Sequence, residues 1–153
     1  MFRGIEVLAR KSFREKAWLQ VSYLYSSLRG NYDGGVTAGG QTDPGITLAF
    51  DYPDMSRNAY GRVYLDRPHD FRVDGFYVTP LKLSVGVQAY VQSGAPLNRI
   101  GYFSDWQGAA VHLVKQGTAG RLPTLWGANL TLGYPLRLGP TQVNVQANVY
   151  NLF

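Results

Sequence analysis

From Gln142 to Val149 the chain reads QVNVQANV, and polar residues alternate strictly with Val or Ala. A backbone in strand geometry sends successive side chains to opposite faces, so this stretch has one apolar face and one face of amides. The pattern recurs along the chain, and it constrains the fold more than any other feature. Phe2–Lys11 sets Ile5, Val7 and Ala9 on one side. Ala17–Ser27 sets Ala17, Leu19, Val21, Tyr23 and Tyr25 against Trp18, Gln20, Ser22, Leu24 and Ser26. His69–Thr79, Leu81–Gln92 and Thr124–Tyr134 repeat the pattern. Helical periodicity is nowhere sustained for three turns, so the fold class is all-β. Phe76 and Val78 break the alternation of the third run, which predicts a bulge or a register shift there.

The runs are long. Strands of soluble domains are commonly about 5–6 residues, whereas these reach about 10–12. A tilted strand needs about 9–11 residues to cross a bilayer. At about 3.3 Å per residue and a tilt near 45°, ten residues rise roughly 23 Å, close to the apolar band of an outer-membrane barrel. The connections alternate in length. They are about five residues (SFREK), one or two around Pro80, and about six (PLRLGP). Between these lie spans of roughly forty and roughly thirty residues. Transmembrane barrels carry short periplasmic turns and long extracellular loops in this order. On the apolar faces the rings of Tyr25, Phe71, Tyr77, Trp126 and Tyr134 fall near strand ends, while Val, Leu and Ala fill the middles. Amphipathic rings favour headgroup depth, so two aromatic girdles produce this layout. The expectation is an antiparallel transmembrane β-barrel segment of about six long strands with two long extracellular loops. Its Val/Ala faces meet outer-membrane lipid, and its polar faces meet a lumen. The alternative is a soluble β-sandwich whose apolar faces meet a second sheet and which binds carbohydrate or another ligand.

Composition narrows the chemistry. Of 153 residues, 45% are hydrophobic, 14% aromatic and only 16% charged, against a usual charged share of about 25%. There is no Cys, which removes disulfides, thiol nucleophiles and thiolate metal sites. The net charge is +5, but the cations are scattered and form no dense run, so no nucleic-acid footprint is indicated. No apolar stretch reaches about 18 residues, so no transmembrane helix is expected. MFRGIEVLARK lacks the apolar core of a secretory signal, so an exported protein would not naturally start here.

Candidate chemistry reduces mostly to structure. DRPH (Asp66, Arg67, Pro68, His69) holds a potential proton-transfer set, but no nucleophile in a recognisable setting accompanies it. Pro68 is expected to fix entry into the third strand, and Asp66 and Arg67 to pair locally or with a neighbouring loop. His69 and His112 are too few for a metal site, and no metal or cofactor is expected. GGVTAGG at 34–40 lacks the Lys and helix of a phosphate loop and reads as extracellular loop. No enzyme activity is expected. The expected ligand contacts are exposed loop aromatics, Tyr32, Tyr52, Tyr60, Tyr102 and Trp106, since loops on rigid scaffolds carry function. The expected lumen- or plug-facing residues are Gln20, Arg72, Asp74, Gln88, Asn129, Asn144 and Gln146.

Several stretches, in order, resemble the C-terminal barrel region of TonB-dependent outer-membrane receptors, in their Oar-like branch with a carboxypeptidase-regulatory-like domain. They are FRGIEVLARKSF (2–13), WLQVSYLYSSLRGNYDG (18–34), DPGITLAFDYPD (43–54) and YGRVYLDRPHDFRVDGFY (60–77). They continue with VQSGAPLNRI (91–100), GTAGRLPTLWGANLTLGYPLRLG (117–139) and ANVYNLF (147–153). Each alone is a loose pattern; the set is specific. The resemblance implies energised uptake in the outer membrane of a Gram-negative cell. It implies a barrel of about 22 strands, an N-terminal plug within it, and a box that engages the TonB complex. Against that pattern residues 1–153 form one partial-barrel domain, strands 16–21, with the plug and the last strand outside it. The remaining barrel strands and the protein's own plug are then its partners. A porin without TonB coupling and a barrel enzyme are the other membrane alternatives.

Overall fold

The computed structural model describes residues 1–14, 16–31, 53–103 and 109–152. Among these the chain is almost entirely strand: β1 (Phe2–Phe13), β2 (Ala17–Gly30), β3 (Gly61–Arg62), β4 (His69–Val78), β5 (Ser84–Gln92), β6 (Ile100–Phe103), β7 (Ala109–His112), β8 (Leu125–Leu138) and β9 (Thr141–Val149). The one helical element among the described residues is a 3-10 turn at Pro53–Ser56. The six long strands lie in the order β1-β2-β4-β5-β8-β9, with β3 attached to β2, while β6 and β7 form a separate pair. Neighbours in the long sheet follow chain order. β1 and β9 each have one partner, so the sheet is open at both sides. This is the all-β, antiparallel, unclosed architecture expected from the alternation.

By contacts the chain divides into two compact units. One comprises Glu6–Leu24, His69–Gln92 and Leu125–Phe153. The other comprises Met1–Ile5, Tyr25–Pro68 and Ser93–Thr124. The first holds most of the long sheet. Its register is constant: β4 pairs β5 from Asp70↔Gln92 to Val78↔Ser84. β5 pairs β8 from Ser84↔Gly133 to Gln92↔Leu125, and β8 pairs β9 from Leu130↔Val149 to Leu138↔Thr141.

Three expectations about this sheet need correction. The connection from β4 to β5 runs from Thr79 to Leu83, longer than the one or two residues expected around Pro80. No bulge occurs at Phe76 and Val78, because the β4–β5 register runs through both without a break. Phe76 stands opposite Gly86, which has no side chain to displace it. Its ring meets Trp18 edge-on at 5.9 Å between centroids. The connection between β8 and β9 is shorter than the six residues expected. β8 continues through Pro135 to Leu138, leaving Gly139 and Pro140 as the turn. Leu136 and Leu138 extend the apolar face and Arg137 the polar one, so alternation persists past the proline. β5 pairing ends at Gly133, and beyond it β8 has a neighbour on one side only. Proline is tolerated on such an edge. Gly139 has φ +64°, the left-handed region that glycine enters without cost.

The other unit corrects the picture of structureless loops. β3 extends the end of β2 through Arg29↔Arg62 and Gly30↔Gly61, and β6 pairs β7 from Ile100↔His112 to Phe103↔Ala109. The buried apolar residues of the described chain, Met55, Ala59, Val63, Ala95 and Val111, all lie in this unit. Backbone segments approach closely. A Cβ on Gly94 would meet the Leu122 carbonyl oxygen at 1.8 Å, and one on Gly61 would meet that of Gln116 at 2.0 Å.

Asp66 of the DRPH motif organises this packing. Its side chain is 2% exposed and pairs with Arg121 of the second long connection. The Leu28 amide donates to Asp66 Oδ1 at 2.6 Å. Arg121 also donates to the Asp66 and Gly94 carbonyls, each at 3.0 Å. Arg67 donates to the Tyr64 carbonyl at 2.8 Å, and its own carbonyl accepts from Ser26 Oγ at 2.9 Å. The motif is therefore a structural tie, with Asp66 pairing to a neighbouring loop. Asp66→Ala should cost about 3–5 kcal/mol of local stability, because it strands a part-buried guanidinium and an amide. Loss of hydrogen-exchange protection at Leu28 is the readout. The double variant D66L/R121M should restore part of that protection.

Candidate functional site

The constant register turns the alternation of each strand into rows that cross the sheet. On one face the rows are Phe71–Val91–Trp126, Val73–Ala89–Ala128, Gly75–Val87–Leu130–Val149 and Tyr77–Val85–Leu132–Ala147, followed by Tyr134–Val145 and Leu136–Val143. Apart from its rings and one glycine this face is aliphatic. The rings stand toward its two ends, Phe71 and Trp126 at one and, short of the Leu136–Val143 row, Tyr77 and Tyr134 toward the other. His69 also lies at the Phe71 end, where its Nδ1 is hydrogen-bonded to the Tyr23 hydroxyl at 2.8 Å with the rings stacked.

This apolar face is uncovered among the described residues. Val87, on a strand with neighbours on both sides, is 45% exposed, and Val145 on β9 is 50% exposed. Every buried apolar residue of the described chain belongs to the other unit. Exposed apolar area of this extent marks a surface that meets another apolar phase.

The opposite face is tied together by side-chain hydrogen bonds. Gln88 donates to Asp74 Oδ1 at 3.1 Å and accepts from Asn129 Nδ2 at 3.1 Å. Asn129 Oδ1 in turn accepts from the Asn151 amide at 3.2 Å. Asp70 forms a two-point ion pair with Arg72, at 3.0 and 2.9 Å, and accepts from Gln92 at 2.8 Å. Thr131 and Gln146 both donate to Asn148 Oδ1 at 3.0 Å. Ser84 Oγ donates to the Gly133 carbonyl at 3.0 Å. Satisfying these groups by neighbours across and along the strands fixes the side chains in place.

Of the residues expected on a lumen face, the structure joins Asp74, Gln88 and Asn129 in one chain of hydrogen bonds and places Arg72 beside it, paired to Asp70. Gln146 belongs to the Thr131–Asn148 group. Asn144 lies on the same face of β9, and Gln20 is half-exposed on β2. Gln92 and Asn148, polar-face residues of the alternating runs, complete the network together with Asp70 and Asn151, which the sequence did not single out. Asp70 lies two positions before Arg72, so period two carries the signal for it. The Asn151 contact is made by a backbone amide, which no side-chain pattern announces. A recess of about 310 Å3 opens beside Asp70, Arg72, Asp74 and Gln88. A larger one of about 520 Å3 lies over Gly86 and Gly133.

Of the five loop aromatics, two fall among the described residues. Tyr32, Tyr52 and Trp106 lie outside the described residues. Tyr60 is exposed. The Tyr102 backbone pairs with Ala110 in the β6–β7 hairpin.

No protein-family model matches the chain, and no solved structure matches it. Among curated proteins it is similar to the TonB-dependent transporter Oar of Myxococcus xanthus, with 29% identity over 158 residues. That alignment covers 99% of this chain and 15% of the transporter, so the chain spans a small part of its relative's length. The similarity supports a relationship to TonB-dependent receptors, and it runs through sheet and connections alike.

The polar network generates a direct expectation. Gln88→Leu keeps size but removes both the bond to Asp74 and the bond from Asn129. The loss should be about 1–3 kcal/mol at roughly 0.5–1.5 kcal/mol per bond. Hydrogen exchange at the Asn151 amide should accelerate with it, since Asn129 loses its anchor.

Proposed function

We propose that this chain is a barrel-wall segment of an outer-membrane TonB-dependent receptor that takes up a ligand from outside the cell. In this reading the six long strands cross the outer membrane and the short turns lie on the periplasmic side. β2–β4 and β5–β8 are joined by extracellular connections. The aliphatic rows face lipid, and the network around Gln88 faces a plug domain or the transit path. The remaining barrel strands pair with the open edges at β1 and β9, and the TonB complex engages the protein elsewhere in its length.

The supporting observation is a sheet with one bare aliphatic face bracketed by aromatics and one hydrogen-bonded polar face. In hydrocarbon every backbone polar group must be paired within the protein. Long antiparallel strands do this, and further strands on both edges complete it. A soluble sandwich needs a second sheet over the aliphatic rows, and no described residue buries them. The likeness to a transporter supports transport over catalysis. Tyr60, Tyr32, Tyr52, Tyr102 and Trp106 remain the proposed ligand-contacting aromatics on the outer connections.

One pair of substitutions in the full-length protein separates the faces. Val87→Arg places a charge at mid-strand on the lipid side, at about 2–4 kcal/mol. It should abolish the folded, heat-modifiable band in the outer-membrane fraction. Gln88→Arg, one residue away, should leave that band. Equal accumulation of both variants, or recovery of Val87→Arg as a water-soluble protein, contradicts the membrane reading.

A further inference from the structure

Cations dominate the unit that holds the long connections. Among its described side chains Asp66 is the only carboxylate, and it is buried and committed to Arg121. Against it stand Arg3, Arg29, Arg57, Arg62, Arg99 and Lys115, all exposed. Neither ion pair among the described residues involves any of them.

Three of these arginines share one face. Arg29 of β2 and Arg62 of β3 are direct cross-strand partners. Arg29 also exchanges backbone bonds with Met1, so Arg3, two residues along β1, is its diagonal neighbour on the same face. Like charges set directly opposite cost stability, since their β-carbons are only about 4.5–5.5 Å apart. The backbone fixes that opposition. Arg62 N donates to the Gln116 carbonyl at 3.1 Å. A Cβ on Gly61 would meet the Gln116 carbonyl oxygen at 2.0 Å, and one on Gly117 would meet the Arg62 Cβ at 2.6 Å. β3 is thus clamped between β2 and residues 116–117.

The row continues a bare apolar surface. Alternation puts Arg3 on the side of β1 that carries Ile5, and Arg29 on the side of β2 that carries Tyr25. Ile5 is 71% exposed and Tyr25 53%. Arg3 lies two residues beyond Ile5, and Arg29 four beyond Tyr25. At about 3.3 Å per residue and a tilt near 45°, the arginines rise roughly 5–9 Å past the apolar pair. The headgroup layer of a bilayer is about 5–8 Å thick on each side.

We propose that Arg3, Arg29 and Arg62 bind phosphomonoester groups on a lipid of the outer leaflet. The proposal rests on the barrel reading above and gives that barrel a lipid preference. A phosphomonoester carries about −1.5 to −2 charges and three acceptor oxygens. The planar fork of arginine meets two such oxygens at once. One phosphate between Arg29 and Arg62 turns their repulsion into two attractions. Ile5 and Tyr25 meet the acyl chains of the same lipid, so one continuous surface holds headgroup and chain.

The test uses the full-length protein in phosphatidylcholine bilayers. These receive a bisphosphorylated glycolipid, the same glycolipid after phosphatase treatment, or inorganic phosphate alone. Phenylglyoxal modifies arginine, and peptide masses report its rate at each site. The expected result is that the phosphorylated lipid slows modification of Arg3, Arg29 and Arg62 at least tenfold and leaves Arg57 and Arg99 unchanged. The other two additions should protect none of them. The exposed triple variant R3Q/R29Q/R62Q should bind the phosphorylated lipid roughly a hundredfold more weakly. Equal protection by the dephosphorylated lipid or by inorganic phosphate overturns the proposal. So does slow modification without any addition, which would mean that protein carboxylates already pair with the row, and so does unchanged affinity in the variant. Protection is read on the wild-type chain, so it decides the matter without the variant. A nitroxide at position 87 in the same bilayers reports separately on lipid contact. If that label reports lipid while the arginines stay unprotected, only this inference falls; if it reports protein packing, the barrel reading falls with it.

Discussion

The structure depends on cross-strand backbone pairing held in one register. β4, β5, β8 and β9 pair without a slip, so each strand's two-residue period adds to its neighbours' in phase. A shift of one residue in any strand would send Val87 or Leu130 into the amide rows and Gln88 or Asn129 into the aliphatic ones. The polar network resists such a slip. The bonds joining Asp74, Gln88 and Asn129 form only when these three are directly opposite one another. Backbone pairing and side-chain bonding therefore specify the same alignment.

Stability is distributed differently in the two units. In the one built around β4, β5, β8 and β9 no described apolar residue is buried, and the aliphatic rows have no described residue over them. Burial of apolar surface, which usually drives folding more than any other effect, contributes little there until another apolar phase covers the face. In the other unit a small set of buried residues and the Asp66–Arg121 tie hold long connections in place. Loop segments ordered by their own core and a buried ion pair form a firm base for ligand-contacting side chains, as uptake requires in the proposed reading.

Most of the sheet was legible from alternation alone, because period two is a direct consequence of strand geometry. The ends of β1, β2, β4 and β9 fall within a few residues of the alternating runs. The misreadings came from single residues taken out of context. Phe76 reads as a break only until its cross-strand partner is known to be Gly86. Pro135 reads as a turn only until it is known that β5 pairing stops at Gly133. Both facts depend on register, which one strand does not contain. The loop elements were not legible, because β3, β6 and β7 are two to four residues long and are fixed by tertiary contacts. Asp66 was legible as a structural acid, but its partner lies 55 residues away in the chain. The polar-face side chains follow from parity; the Asn151 amide, a backbone donor, does not.

The central claim is that hydrocarbon covers the aliphatic rows. Nitroxide scanning of β5, residue by residue from Ser84 to Gln92 in the full-length protein in bilayers, measures this directly through collision with oxygen and with a water-soluble nickel complex. The account predicts a two-residue oscillation, with oxygen access highest at 85, 87, 89 and 91 and low nickel access at those same positions. Uniformly low access to both reagents at the odd positions would mean that protein packs over them, and would contradict it.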